Sequence, residues 1–238
     1  MIQTDEIFRE DAYAQTCTAK VTGLTERGGL VLDRTVFYPT GGGQPGDSGR
    51  LTLADGRGLA IAATVYDADK ITIVHVPAEG QGLPAVGETV TCAIDWPRRL
   101  KLMRAHTGLH LLCSLLKYPV TGGQIGEAEG RLDFDIPDAT LDKDELTANL
   151  NALIAANHPV SHRWISDEEM AARPELIRTM SVKPPMGRGR VRLVAIGDVD
   201  LQPCGGTHVR GTGEIGLATV TKIEKKGAVN RRIRVEFA

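Results

Sequence analysis

Residues 96–118 read WPRRLKLMRAHTGLHLLCSLLKY, and this stretch divides the chain into halves of different character. Its apolar residues Leu102, Met103, Leu109, Leu112, Leu115 and Leu116 recur at helical spacing. Pro97 suits the first turn of a helix, where its missing N–H costs nothing. The spacing therefore predicts a helix with one buried face. Upstream the period changes. Runs at 17–24, 29–37, 49–53, 59–65 and 70–76 alternate or stay apolar, and turn clusters at 26–28, 40–47, 54–56 and 67–69 separate them. Closely spaced short strands with Gly-rich turns predict a small barrel or sandwich, followed by a loop over 78–87. Downstream, RLDFDI (131–136) alternates as a strand, and 142–157 reads as an amphipathic helix opened by an acidic cap, Asp142. Stretches 160–165 and 191–196 are strand-like, and 216–238 reads as two strands around a turn near Gly227. The expectation is an α+β protein: a small N-terminal β-barrel-like domain over residues 1–92, followed by an α+β domain over residues 93–238.

Composition narrows the function classes. The chain has 238 residues, 42% hydrophobic and 24% charged, which is enough to bury a full core. Aromatics make up only 4%, which argues against a stacking platform for single-stranded nucleic acid. No apolar run approaches the roughly 20 residues that span a bilayer, and MIQTDEIFREDAY lacks the regions of a secretory signal. Cys17, Cys92, Cys113 and Cys204 follow no disulfide spacing, so a reducing cytoplasm is expected, with no membrane partner. The net charge of −2 conceals an asymmetry. Residues 180–238 carry 11 Lys/Arg against 5 Asp/Glu, and residues 127–175 carry 4 against 12. A local basic face could meet a phosphate backbone without making the protein a general polyanion binder.

His106 and His110 lie four residues apart on the expected helix, so both imidazoles share one face. Far downstream, QPCGGTH (202–208) ends a strand-like stretch in a Gly-containing turn that lets Cys204 and His208 face inward together. Three His and one Cys form an N/S donor set that suits Zn²⁺. His158 and His162 repeat the spacing, but Pro159, Val160 and Ile165 indicate an extended segment. Four residues of strand span about 13 Å, too far for a shared metal. Cys113, three residues beyond His110, is a rival ligand that reads better as a small hydrophobe in the helix core. His75, alone in ITIVHVP, shows no partner in the sequence. GGGQPG (41–46) formally matches a dinucleotide motif, but a turn into another strand follows where that motif needs a helix, so no nucleotide cofactor is expected. Thr107 stands where a zincin would place its general-base Glu.

HTGLH (106–110) and CGGTH (204–208) together resemble the editing domain of alanyl-tRNA synthetase and its free-standing relatives, the AlaX proteins. TGGQIGEAEGRLDFDI (121–136) resembles the region between that family's two metal motifs, and VFYPTGGGQPGDSG (36–49) resembles the glycine-rich signature of its preceding β-domain. The resemblance covers about residues 37–237 and is similar to the medium AlaX class, a stand-alone editor without aminoacylating machinery. It implies that His106, His110, Cys204 and His208 are zinc ligands, that Gln124 lies in the aminoacyl pocket, and that Gln124 and Thr207 are the catalytic candidates. It also implies that Gly41, Gly42 and Gly43 approach that pocket and that Arg231 and Arg232 meet tRNA phosphates. The implied reaction is hydrolysis of mischarged Ser-tRNA(Ala), with Gly-tRNA(Ala) a weaker substrate. A synthetase pocket for alanine struggles to exclude serine or glycine. An open metal position would activate water or polarise the carbonyl, whereas four protein ligands would close the shell. Three alternatives stand beside this: editing of threonine-specific tRNA by a related domain, a zinc-stabilised non-catalytic tRNA-binding module, and a thiol hydrolase using Cys204.

Overall fold

After the short β1 (Asp5–Glu6) and α1 (Ile7–Glu10), β2 (Thr16–Leu24) turns alternate residues Ala19 and Val21 into a core, as a half-buried strand must. The computed structural model describes residues 4–136, 140–178, 189–227 and 229–238, so residues 180–188 of the basic segment lie outside the described residues. The strands β3 (Leu30–Leu32), β4 (Arg34–Thr35), β5 (Gly49–Leu53), β6 (Gly58–Tyr66), β7 (Ile73–Pro77) and β8 (Thr89–Ile94) follow. Five of them and β2 close into a barrel in the order β2-β3-β7-β6-β5-β8, with β8 returning to β2. Closure leaves these strands without a free edge. Leu30, Leu32, Leu51, Leu59, Val90 and Cys92 fill the interior. The chain divides into two compact units, Met1–Leu100 and Lys101–Ala238.

Three details of the barrel differ from the sequence expectation. The run 29–37 breaks at Asp33, whose carboxylate accepts from the Lys20 amide at 2.7 Å, and β4 then leaves the barrel to pair in parallel with β1. The strand expected from residue 70 begins at Ile73. Lys70 has φ +57°, and the Asp69 carboxylate holds a turn by accepting from the Ile71 and Thr72 amides at 2.8 Å. The strand over residues 89–94 was not expected, yet it joins the two ends of the barrel and puts Val90, Cys92 and Ile94 inside.

Helix α2 (Trp96–Leu115) was expected to bury one face. Instead Ala105, Thr107 and Leu111 are as fully buried as Leu102 and Leu112, so the helix is enclosed around the site residues. In the second unit, β9 (Val120–Ile125), β10 (Glu129–Asp135), β14 (Ala218–Lys225) and β15 (Asn230–Phe237) form a sheet in the order β14-β15-β10-β9. Glycine permits close packing of α2 on this sheet. A Cβ on Gly108 would lie 2.2 Å from Phe237, and one on Gly130 would lie 2.9 Å from Leu109. Helix α3 (Lys143–Ala155) starts where Asp142 accepts from the amides of Asp144 and Glu145, as the acidic cap predicts. Its Asn151 and Thr147 side chains satisfy backbone groups of the edge strand β14 at Ala218 and Val220. A second sheet, β11 (Val160–Ser166), β12 (Arg190–Ile196) and β13 (Asp200–Pro203), packs one face on the short α4 (Asp167–Ala171) through Ile165, Met170, Val191 and Leu193. Among the described residues no helix is long and apolar enough to cross a membrane.

Candidate metal centre

Helix α2 presents His106 and His110 one turn apart, and the loop after β13 brings Cys204 and His208 to them. One potential ligand atom from each residue lies within 4.8 Å of all the others. Cys204 Sγ is 3.5 Å from His106 Nε2 and 3.3 Å from His208 Nε2. A tetrahedral zinc at ordinary bond lengths holds sulfur and nitrogen about 3.6 Å apart. The donor types and their separations therefore fit such an ion. The Gly206 amide approaches Cys204 Sγ at 3.4 Å, and Arg192 Nη1 donates to the carbonyls of Cys204 and Gly206 at 3.1 and 2.9 Å, fixing the loop.

The outward ring nitrogens have partners that set the tautomers. Thr107 Oγ1 donates to the Met103 carbonyl at 2.9 Å, which leaves its lone pairs for His208 Nδ1 at 3.1 Å. His110 Nδ1 lies 3.1 Å from Asp200 Oδ2, and Gln202 Nε2 donates to that same oxygen at 2.7 Å. Both rings thus carry their proton on Nδ1 and turn Nε2 inward.

Charge inside the cluster is tightly balanced. Burial pushes the Cys204 thiol up, but the imidazoles of His106 and His208 outweigh it and bring the thiol well below its ordinary range. Burial disfavours charge on His110 as well, yet Asp200 and Cys204 hold it at about 10. Burial, then the neighbouring charge of His106, drives His208 well below the usual imidazole value. The pocket favours a thiolate, which is the metal-binding form of cysteine.

Other residues singled out in the sequence lie elsewhere. Thr207 is in the loop and fully buried. Gln124 sits on β9 opposite Arg131, whose Nε donates to its Oε1 at 3.3 Å. The register puts this pair on the sheet face opposite Gly130, away from α2. Arg232 shares that outer face and makes a two-pronged bond to Asp133 at 2.7 and 2.8 Å, while Arg231 lies next to it on the opposite face of β15. Within the first unit, Gly42 and Gly43 have φ of +58° and +83° and form an exposed tip beside Gly41. Arg98 donates to the Gly46 carbonyl at 2.7 Å, and buried Arg99 binds Asp47, anchoring the root of this loop. After it the chain enters β5, not a helix. Cys113 is buried, and its enclosure pushes the thiol up to about 12. His75 does have partners: Thr35 Oγ1 at 2.8 Å and the Leu30 carbonyl at 3.1 Å.

Residues 191–234 match the family described as threonyl and alanyl tRNA synthetase second additional domain. Residues 7–98 match the class II (A) tRNA synthetases. An alanyl-tRNA editing protein AlaX-M of Methanosarcina acetivorans is 34% identical over 97% of each chain, and its counterpart in Methanosarcina mazei is 35% identical over 97% of this chain and 95% of its own. The chain belongs to the AlaX-M family. The same residues also resemble part of a larger protein. An alanine–tRNA ligase of Pyrobaculum arsenaticum is 37% identical over 94% of this chain but only 26% of its own length.

Within this AlaX-M chain, three polar residues next to the donors escaped the sequence reading, Arg192, Asp200 and Gln202, and Thr107 entered it only as the residue in a zincin's Glu position. Period two along D-L-Q-P-C puts Asp200, Gln202 and Cys204 on one face, so that signal was present. Nothing in the sequence marks Thr107 or Arg192 as partners of His208 or of the Cys204 loop.

Proposed function

We propose that this chain hydrolyses the ester of mischarged tRNA(Ala), removing serine preferentially and glycine more weakly, at a zinc ion held by His106, His110, Cys204 and His208. The buried N₃S cluster in a chain of the AlaX-M family is the observation that carries this reading. Zinc, when bound, supplies a Lewis acid. The residues of the chain do the rest. Cys204 binds as thiolate, with the Gly206 amide on its sulfur, and Arg192 keeps the loop in register. His110 and His208 offer Nε2 because Asp200 and Thr107 occupy their Nδ1 protons. In the reaction, a water oxygen bonds to the ester carbonyl carbon, the bond to the ribose oxygen breaks, and that oxygen leaves with a proton as the sugar hydroxyl. Serine selectivity follows if the site hydrogen-bonds the hydroxyl that alanine lacks. We assign phosphate contacts to Arg231 and Arg232. At Arg232 a phosphate competes with Asp133, so its contribution is the smaller.

One observation favours a second reading. Four protein donors can by themselves complete a tetrahedral shell, as in a zinc-stabilised tRNA-binding module without catalysis. Deacylation of Ser-tRNA(Ala), Gly-tRNA(Ala) and Ala-tRNA(Ala), with and without a strong chelator and with His106→Ala, separates the two. Chelator-sensitive loss of the seryl ester with the alanyl ester spared supports editing. Binding of all three tRNAs without hydrolysis supports the module, and hydrolysis confined to mischarged threonine-specific tRNA redirects the substrate.

A further inference from the structure

A carboxylate buried beside a ring of imidazoles calls for an explanation. The Asp200 side chain is fully enclosed, and Oδ1 has no hydrogen-bond partner among the described residues. Leaving a buried charge half-satisfied costs stability. Its other oxygen is fully engaged: Oδ2 accepts from Gln202 Nε2 at 2.7 Å and faces His110 Nδ1 at 3.1 Å. A carboxylate oxygen can only accept, so a bare Nδ1 there would set lone pair against lone pair. The His110 proton therefore sits on Nδ1. Gln202 Nε2 also lies 3.0 Å from Nδ1, but both groups are donors, and the two converge because they share one acceptor.

We propose that Asp200 is a positioning residue of the metal centre: by accepting the Nδ1 proton of His110 it fixes that imidazole with Nε2 directed at the donor point shared with His106, Cys204 and His208. The inference rests on the reading of those four residues as zinc ligands. It accounts for a buried carboxylate kept at this place with one oxygen unpaired, because its charge acts on a bound cation through the imidazole. It also separates Asp200 from Thr107. Both set a tautomer, but only Asp200 adds a negative charge behind the ring, which strengthens Nε2 as a donor. Gln202, in turn, steers Oδ2 towards the ring.

The test is zinc affinity, measured on the full chain by competition with a chromophoric chelator. Asp200→Asn preserves size and removes the charge. The expected result is a loss of about 10- to 100-fold in affinity, with the thermal midpoint of the metal-free protein lowered because the buried His110 imidazole loses its ion-pair partner. In a His110→Ala background, Asp200→Asn should cost under about threefold, since the ring it acts through is absent. Asp200→Glu keeps the charge, and a smaller loss than that of Asn is expected; this variant carries the test if Asn does not fold. Wild-type affinity in Asp200→Asn would falsify the proposal, as would an equal loss with and without His110. A wild-type chain that binds no zinc overturns the functional reading itself, an outcome distinct from a wild-type affinity that Asp200→Asn leaves unchanged.

Discussion

Replacing Gly108 with alanine sets two opposed effects against each other inside the metal-binding helix. Alanine is the better helix former by about 1 kcal/mol, so propensity alone predicts a more stable protein. The structure predicts the reverse. The new Cβ falls 2.2 Å from Phe237 Cε1 and 2.7 Å from Cζ, whereas carbon atoms pack at about 3.5 Å or more. The ring or the helix must shift by over an ångström. Phe237 has little room to yield, being 9% exposed and held in β15 by its amide bond to the Ala128 carbonyl at 2.9 Å. Overpacking of this kind costs about 1–3 kcal/mol, and losing the ring from its site costs about 3–5. After the propensity gain, a net destabilisation of about 0–2 kcal/mol remains if the ring keeps its site, and about 2–4 kcal/mol if it is displaced. For a chain of this length that lowers the melting midpoint by about 2–4 °C per kcal/mol. Calorimetry or circular dichroism reads it, and Phe237→Leu combined with Gly108→Ala should recover most of the loss. A Gly108→Ala midpoint at or above that of the wild type refutes the close approach of α2 to β15. Because Gly108 lies between His106 and His110, zinc affinity should fall along with stability.

Two further predictions concern other parts of the chain. His75 is fully buried, and burial lowers its pKa to about 4 from an ordinary 6.5. The folded form thus disfavours the proton, so its stability is intact above pH 6.5 and falls by about 3 kcal/mol as pH drops to 4; urea midpoints of the wild type should show this slope, and His75→Gln should flatten it. Asp142→Ala removes a cap that accepts from two amides at 2.8 and 2.9 Å, and it should cost about 1 kcal/mol in a denaturant titration, with α3 fraying first in hydrogen exchange.

The donor set was legible because each half is a local pattern: a four-residue repeat on a helix, and a thiol and imidazole separated by glycines. What supports those donors was less so. Asp200 and Gln202 declare themselves by period two from Cys204, but only once Cys204 is taken as inward-facing. The partner of His75 is Thr35, 40 residues earlier, and no local pattern links the two. The strand over 89–94 shows the expected alternation in Val90, Cys92 and Ile94, yet it runs directly into the helical stretch and is easily absorbed by the boundary. In α2 the single-face expectation failed at Ala105, Thr107 and Gly108. These residues are small and weakly apolar, and they are buried because neighbouring elements approach closely there, which hydrophobic periodicity does not register.

Burial alone does not decide what a histidine does here. His75 and His110 are both enclosed, yet the first is pushed down to about 4 and the second held up at about 10. The desolvation cost has the same sign in each. The difference is the company: a hydroxyl and a carbonyl around His75, a carboxylate and a thiolate around His110. Without a metal, protonated His110 sits between the negative charges of Asp200 and Cys204. A divalent cation with three neutral imidazoles offsets both. A divalent ion in this pocket takes over the charge that protonated His110 supplies without it. That exchange gives the binding reaction a sign, because the proton on His110 Nε2 must leave as the ion enters. Apparent zinc affinity should accordingly rise with pH below about 10, and an affinity that does not change with pH across neutrality contradicts this account of the cluster.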